Sequence, residues 1–90
     1  MTAETRELAD VLADLVLNLV VSAELADEDE IHPDTAVRLL EGTVAELQGL
    51  GASDRLWLHE HVAAAAREER HPDRRRVLLW LAGELLGDRG

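Results

Sequence analysis

The stretch that decides the fold is Leu15-Val16-Leu17-Asn18-Leu19-Val20-Val21, seven residues of which Asn18 alone is polar. Rich in leucine and valine, it could be a buried strand or a helix segment that is apolar on most sides. Its surroundings choose the helix. Upstream, Leu8, Val11, Leu12, Leu15 and Leu19 recur at spacings of three and four with Glu7, Asp10 and Asp14 between them, and no turn residue interrupts the run. A helix over residues 5–26 is therefore predicted, with Leu8, Leu12, Leu15 and Leu19 facing inward and the acids facing water.

Outward from that helix the pattern repeats. Asp27-Glu28-Asp29-Glu30 is too self-repelling to pack in a core and reads as a solvated loop. His32-Pro33-Asp34 opens a second helix, over 33–48, because proline suits the first helical position and an acid in the first turn meets the positive end of the helix dipole. Val37, Leu40, Val44 and Leu47 form its stripe, and Gly49-Leu50-Gly51 ends it. A third helix over 54–70 is capped by Ser53 or Asp54 and turns Leu58, Val62 and Ala65 inward. Its run Ala63-Ala64-Ala65-Ala66 favours helix and close approach by a neighbour. His71-Pro72-Asp73 opens the fourth helix, over 72–86, with Val77, Leu78, Leu81 and Leu85 inward and Gly87 as the stop. The expectation is a single all-α domain over residues 1–90, a small four-helix bundle with short, mostly antiparallel connections and helix 1 the longest and most buried. The two His-Pro-Asp triplets, each followed by a leucine pair at the same offset, need no gene duplication, since a proline-plus-acid opening explains both.

Composition narrows the function. At 47% hydrophobic and 31% charged residues the chain is expected to fold, and at 90 residues it has room for one modest core. The absence of cysteine excludes disulfides, thiolate zinc sites and a thiol nucleophile. The acidic start Met1-Thr2-Ala3-Glu4, followed by Glu7 and Asp10, lacks the features of a signal peptide, and the apolar run is too short to span a bilayer, so a cytoplasmic location without membrane contact is expected. The net charge of -10 is lopsided. Residues 1–34 hold ten acids against Arg6, whereas 67–90 are nearly balanced, with six arginines and five acids. The basic candidates Arg67, Arg70, Arg74, Arg75 and Arg76 are too few for a phosphate-binding stripe, so direct nucleic-acid binding is not expected.

The chemistry-bearing residues form no catalytic or metal constellation. His59 and His61 point about 200° apart on a helix and cannot grip one ion. Glu68 and His71 have Glu-x-x-His spacing, but a di-iron site needs a second such pair and two more glutamates. Ser22 and Ser53 lack a glycine-flanked nucleophile turn. The His-Pro-Asp triplet resembles the signature of J-domain co-chaperones, but the basic preceding helix and the aromatic core of that family are missing. A chorismate mutase would need basic residues from several helices where helix 1 offers Arg6. The phosphopantetheine carriers need Asp-Ser-Leu where this chain has Ser53-Asp54-Arg55. No enzyme activity and no cofactor are expected.

What remains is recognition of other proteins. In size, charge and helicity the chain is similar to the helical immunity proteins that block bacterial nuclease toxins, although it has no tyrosine for that family's recognition segment. The resemblance implies a non-catalytic acidic module of antitoxin or immunity type that covers a basic protein partner. Glu24, Asp27, Glu28, Asp29, Glu30 and Asp34 are the predicted docking residues, because concentrated like charge steers an opposite patch. The alternatives are a homodimeric structural or accessory subunit and a small helical enzyme with an unrecognised site. A homodimer is predicted from surplus apolar surface: Val16, Leu17, Val20 and Val21 lie outside the expected inward stripe of helix 1, and Leu79, Trp80, Ala82 and Leu86 lie beside that of helix 4. Its interface is accordingly expected at Val16, Leu17, Val20, Val21, Leu79, Trp80 and Leu86. Otherwise helix 1 runs through the centre of the bundle. Trp57 and Trp80, the only aromatic residues, suit either interface or core.

Overall fold

The computed structural model describes residues 7–86 and forms four helices: α1 (Leu8–Leu25), α2 (Pro33–Gln48), α3 (Ala52–Glu68) and α4 (Pro72–Leu86). No strand occurs among the described residues. The chain is an all-α four-helix bundle. The expected start of helix 1 at Thr5 and the stop at Gly87 lie outside the described residues.

Both His-Pro-Asp triplets build the same helix start. The His32 ring accepts the Asp34 backbone N–H at its Nδ1, 3.1 Å away, and His71 does the same for Asp73 at 3.2 Å. Histidine thus takes the capping role more often filled by serine or aspartate, and proline follows at N1, where no N–H is needed. This shared chemistry is the physical content of the sequence echo. Helix α3 departs from expectation at both ends. It opens two residues earlier, at Ala52, with Gly51 as N-cap in place of Ser53 or Asp54, and stops at Glu68 because Glu69 is extended. Pro72 biases His71 away from helical geometry, and the Glu69 side chain accepts the His71 N–H at 3.2 Å, which stabilises the break.

Helices α3 and α4 form the closest pair, α1 packs against the other three, and α2 scarcely meets α3. The core comprises Ala13, Leu17, Val20 and Val21 of α1, Leu40 and Val44 of α2, Leu58, Val62 and Ala66 of α3, and Val77, Leu78, Leu81, Ala82 and Leu85 of α4. Leu81, Val62 and Ala66 are wholly inaccessible to solvent. Helix 1 is the longest, as expected, but not the most buried: α4 contributes five core side chains against four.

The orientation of α1 reverses the sequence-based expectation. Leu8, Leu12, Leu15 and Leu19, predicted to face inward, are 72%, 51%, 53% and 70% exposed. Three of the residues assigned to a dimer face, Leu17, Val20 and Val21, are instead in the core, and the fourth, Val16, is partly buried against it. Ala82, also placed in the surplus, is buried as well. This orientation also gives the acids of α1 a partner. The acids expected to face water are turned toward α3, where the His61 ring lies between them: Nε2 donates to Asp14 Oδ1 at 2.8 Å, and Nδ1 is 3.6 Å from Asp10 Oδ1. Burying the leucines would rotate both carboxylates away from that ring. The smaller Ala13 and the β-branched Val20 and Val21 also suit the close approach that Ala66 permits.

Candidate protein-binding surface

The residues that could contact another molecule fall into three places. The first is a surface groove between α2 and α4, with a volume of about 330 Å³. Helical spacing puts Val37, Leu40 and Val44 on one side of α2, and this side meets Trp80 across the groove. Leu40 and Val44 belong to the core, while Val37 and Trp80 stay substantially exposed, so the groove has an apolar base continuous with the interior. Glu24 at the end of α1, Glu41 of α2 and Glu84 of α4 bring three carboxylates to it. Gln48 completes the lining and ties the two helices together by donating from Nε2 to the Glu84 carbonyl at 2.9 Å. Among the described residues no arginine lines the groove. An adjoining depression formed by Glu24, Val77 and Trp80 contains Arg76, whose guanidinium is engaged by Asp73 at 2.8 Å.

The second place is the acidic turn between α1 and α2. Asp27, Glu28, Asp29 and Glu30 are all exposed. The turn is closed on itself: the Asp27 carbonyl accepts from Glu30 and Ile31 N–H, and Glu30 Oε1 accepts from Asp27 N–H at 3.0 Å. Asp34 is exposed in the first turn of α2, where its backbone N–H is held by His32. Of the predicted docking residues, only Glu24 lines the α2–α4 groove, where it meets Trp80, a residue the sequence reading had assigned to a dimer contact. Glu41 and Glu84 were missed; charged residues on exposed helix faces carry no sequence signal that they converge.

The third place is the leucine face of α1. It continues onto α2 through a groove lined by Val16, Leu19, Ile31 and Leu39. Leu79 and Leu86, assigned to the dimer face, are exposed on α4.

The polar side chains elsewhere hold the bundle together. His59 Nδ1 donates to the Ala82 carbonyl at 2.8 Å, fastening α3 to α4, and Trp57 stacks on His61 with ring centroids 5.2 Å apart. Arg74 reaches Glu69 at 3.3 Å and Asn18 at 3.4 Å, and Arg75 donates to the Glu69 carbonyl. The Glu69 carboxyl is held below its ordinary range, chiefly by the His71 backbone N–H it accepts and further by Arg74, against a partial desolvation that works the other way. Arg74 and Arg75 are therefore both committed to Glu69, through its carboxylate and its carbonyl respectively, and Arg76 to Asp73. No group of three or more candidate ligands able to hold a metal ion occurs among the described residues. Asp10 and Asp14 approach different ring nitrogens of His61, which is the geometry of a hydrogen-bonded clasp and not of a metal site. None of the helices in the described residues is long and apolar enough to cross a membrane.

No family model matches the chain. No curated protein or solved structure matches it significantly either.

Proposed function

We propose that this protein is a non-catalytic binding module that receives a basic amphipathic segment, most simply a helix, of another protein. The observation that carries the reading is the α2–α4 groove, where an apolar base of Leu40, Val44 and Trp80 is combined with the carboxylates of Glu24, Glu41 and Glu84. An amphipathic helix docks by laying apolar side chains spaced at i, i+3 and i+4 into such a groove. Lysines or arginines beside those anchors would meet the three glutamates, and an arginine could also stack on Trp80. The net charge of -10, concentrated in residues 1–34, steers a cationic partner toward this side of α1 and its acidic turn. A small acidic protein that occupies a basic segment would act as an inhibitor or scaffold of its owner, in the manner of an antitoxin or immunity protein.

The test uses a synthetic helical peptide with leucines on one face and lysines and arginines on the other, titrated calorimetrically into the full chain at low and high salt. Saturable 1:1 binding is expected, weakened by salt, by Trp80→Ala and by the paired change Glu41→Gln with Glu84→Gln. Replacing Asp27, Glu28, Asp29 and Glu30 by their amides should slow association with less effect on dissociation. Affinity unchanged by Trp80→Ala and by the glutamate pair would refute the groove as the site.

A further inference from the structure

We infer that the leucine face of α1 is the contact between two copies of this chain, packed antiparallel about a two-fold axis that passes between Leu12 and Leu15. This interface is on the side of α1 away from the core, and it stands independently of the α2–α4 groove.

Three observations carry it. The first is spacing. Leu8, Leu12, Leu15 and Leu19 follow a 4-3-4 order, the alternation that places knobs into holes where two helices pack side by side. At 3.6 residues per turn these four side chains cluster about 150° around the helix from Ala13, Leu17, Val20 and Val21, the residues that α1 gives to the core. One helix thus has two separate apolar faces, and the described residues cover only one of them.

The second is charge. In a protein of net charge -10, any self-contact must avoid opposing carboxylates. Val11, Val16, Ser22 and Ala23 flank the leucines, while Asp10 and Asp14 are turned to His61 on the other side. The stripe therefore meets its own copy without burying an acid, whereas a basic partner would find no carboxylate on it. Charge also selects the direction. A parallel pair would set the two Asp27-Glu28-Asp29-Glu30 turns side by side; an antiparallel pair puts them at opposite ends and opposes the helix dipoles favourably.

The third is area. A fully buried leucine corresponds to about 100 Å² of apolar surface, so the four exposed leucines offer on the order of 250 Å². Val11, Ile31 and Leu39 and the flanking small residues raise this to about 500 Å² per copy, or about 1,000 Å² in the pair, the lower bound for a specific interface. A patch of this size is at the upper end of what monomers leave uncovered.

Sedimentation equilibrium of the full chain should show a dimer at micromolar concentration, and Leu15→Glu should weaken association by at least ~100-fold while leaving the helical circular dichroism intact, since Leu15 is outside the core. The natural chain has no cysteine, so direction can be read by oxidation. A mixture of Leu8→Cys and Leu19→Cys proteins should form the mixed disulfide faster than either forms its own. A wild-type protein that stays monomeric at high micromolar concentration, or a Leu15→Glu protein that still dimerises, overturns the interface. Preferential like-with-like disulfides overturn the antiparallel arrangement.

Discussion

Leu17 and Leu15, two positions apart on α1, should respond to truncation in opposite ways, because the structure assigns them to opposite faces. Leu17 is 4% exposed and packed among the core residues of α1, α3 and α4, so Leu17→Ala removes buried methyl groups and leaves a cavity. That change costs about 2–4 kcal/mol in comparable cores. A chain of this length has a total stability on the order of 5–12 kcal/mol, so the loss is a large fraction of it. Leu15 is 53% exposed, and Leu15→Ala forfeits only partial burial, worth less than about 1 kcal/mol. The assay is urea unfolding followed by circular dichroism at several protein concentrations. Dilution matters because any self-association through the leucine face adds a concentration-dependent contribution at Leu15 that the monomer lacks. In the dilute limit Leu17→Ala should lower the midpoint strongly and Leu15→Ala only slightly. Greater destabilisation by Leu15→Ala in that limit would show that α1 turns its leucines inward and refute the packing described here.

Removing a capping ring should matter more than removing the acid behind it. His32→Ala and His71→Ala each delete the Nδ1 acceptor at a helix start and should cost about 1 kcal/mol, whereas Asp34→Ala should cost about 0.5 kcal/mol through the dipole, and Asp73→Ala about the same with the exposed Arg76 pair lost as well, all without loss of peptide affinity. Thermal melts with parallel peptide titrations check this, and a large affinity loss with unchanged melting would contradict it. Acid titration probes the α3–α4 turn. Because the folded Glu69 carboxyl titrates below its ordinary range, its contribution is present above that range and is lost as pH falls through the lowered folded value. Glu69→Gln should therefore flatten the acid limb of the stability profile, and identical limbs for the two proteins would discount the turn.

Much of the architecture was legible in the residues themselves because the signals that define it are local. Pro33 and Pro72 can only open a helix, Gly49 and Gly51 bracket a break, and apolar residues at intervals of three and four make a helix wherever the chain goes next. The start of α3 was legible only in part: Ser53 and Asp54 are good caps, but the helix begins two residues before Asp54, at Ala52, where the Gly51 carbonyl accepts the Arg55 N–H at 2.9 Å. The facing of α2 was half legible. Leu40 and Val44 are core as the stripe predicts, while Val37 belongs to the same stripe and stands exposed, because it lies on the open groove between α2 and α4.

Helical periodicity establishes which residues share a face, and in α1 it defined two apolar faces without ranking them. Leucines are the larger side chains, so size favours Leu8, Leu12, Leu15 and Leu19 for the interior. The structure makes the opposite choice, and with it Asp10 and Asp14 come to His61, which is 47 positions beyond Asp14 in the chain. The convergence of Glu24, Glu41 and Glu84 on Trp80 is of the same kind: each is an ordinary exposed residue of its own helix, and only the packing of α1, α2 and α4 brings them to one groove. Local chemistry along the chain determined that four helices form and where each begins. Which side of α1 is buried, and which acids gather around an apolar groove, depended on long-range pairings between helices, and a periodic pattern contains no information about those until the chain has folded.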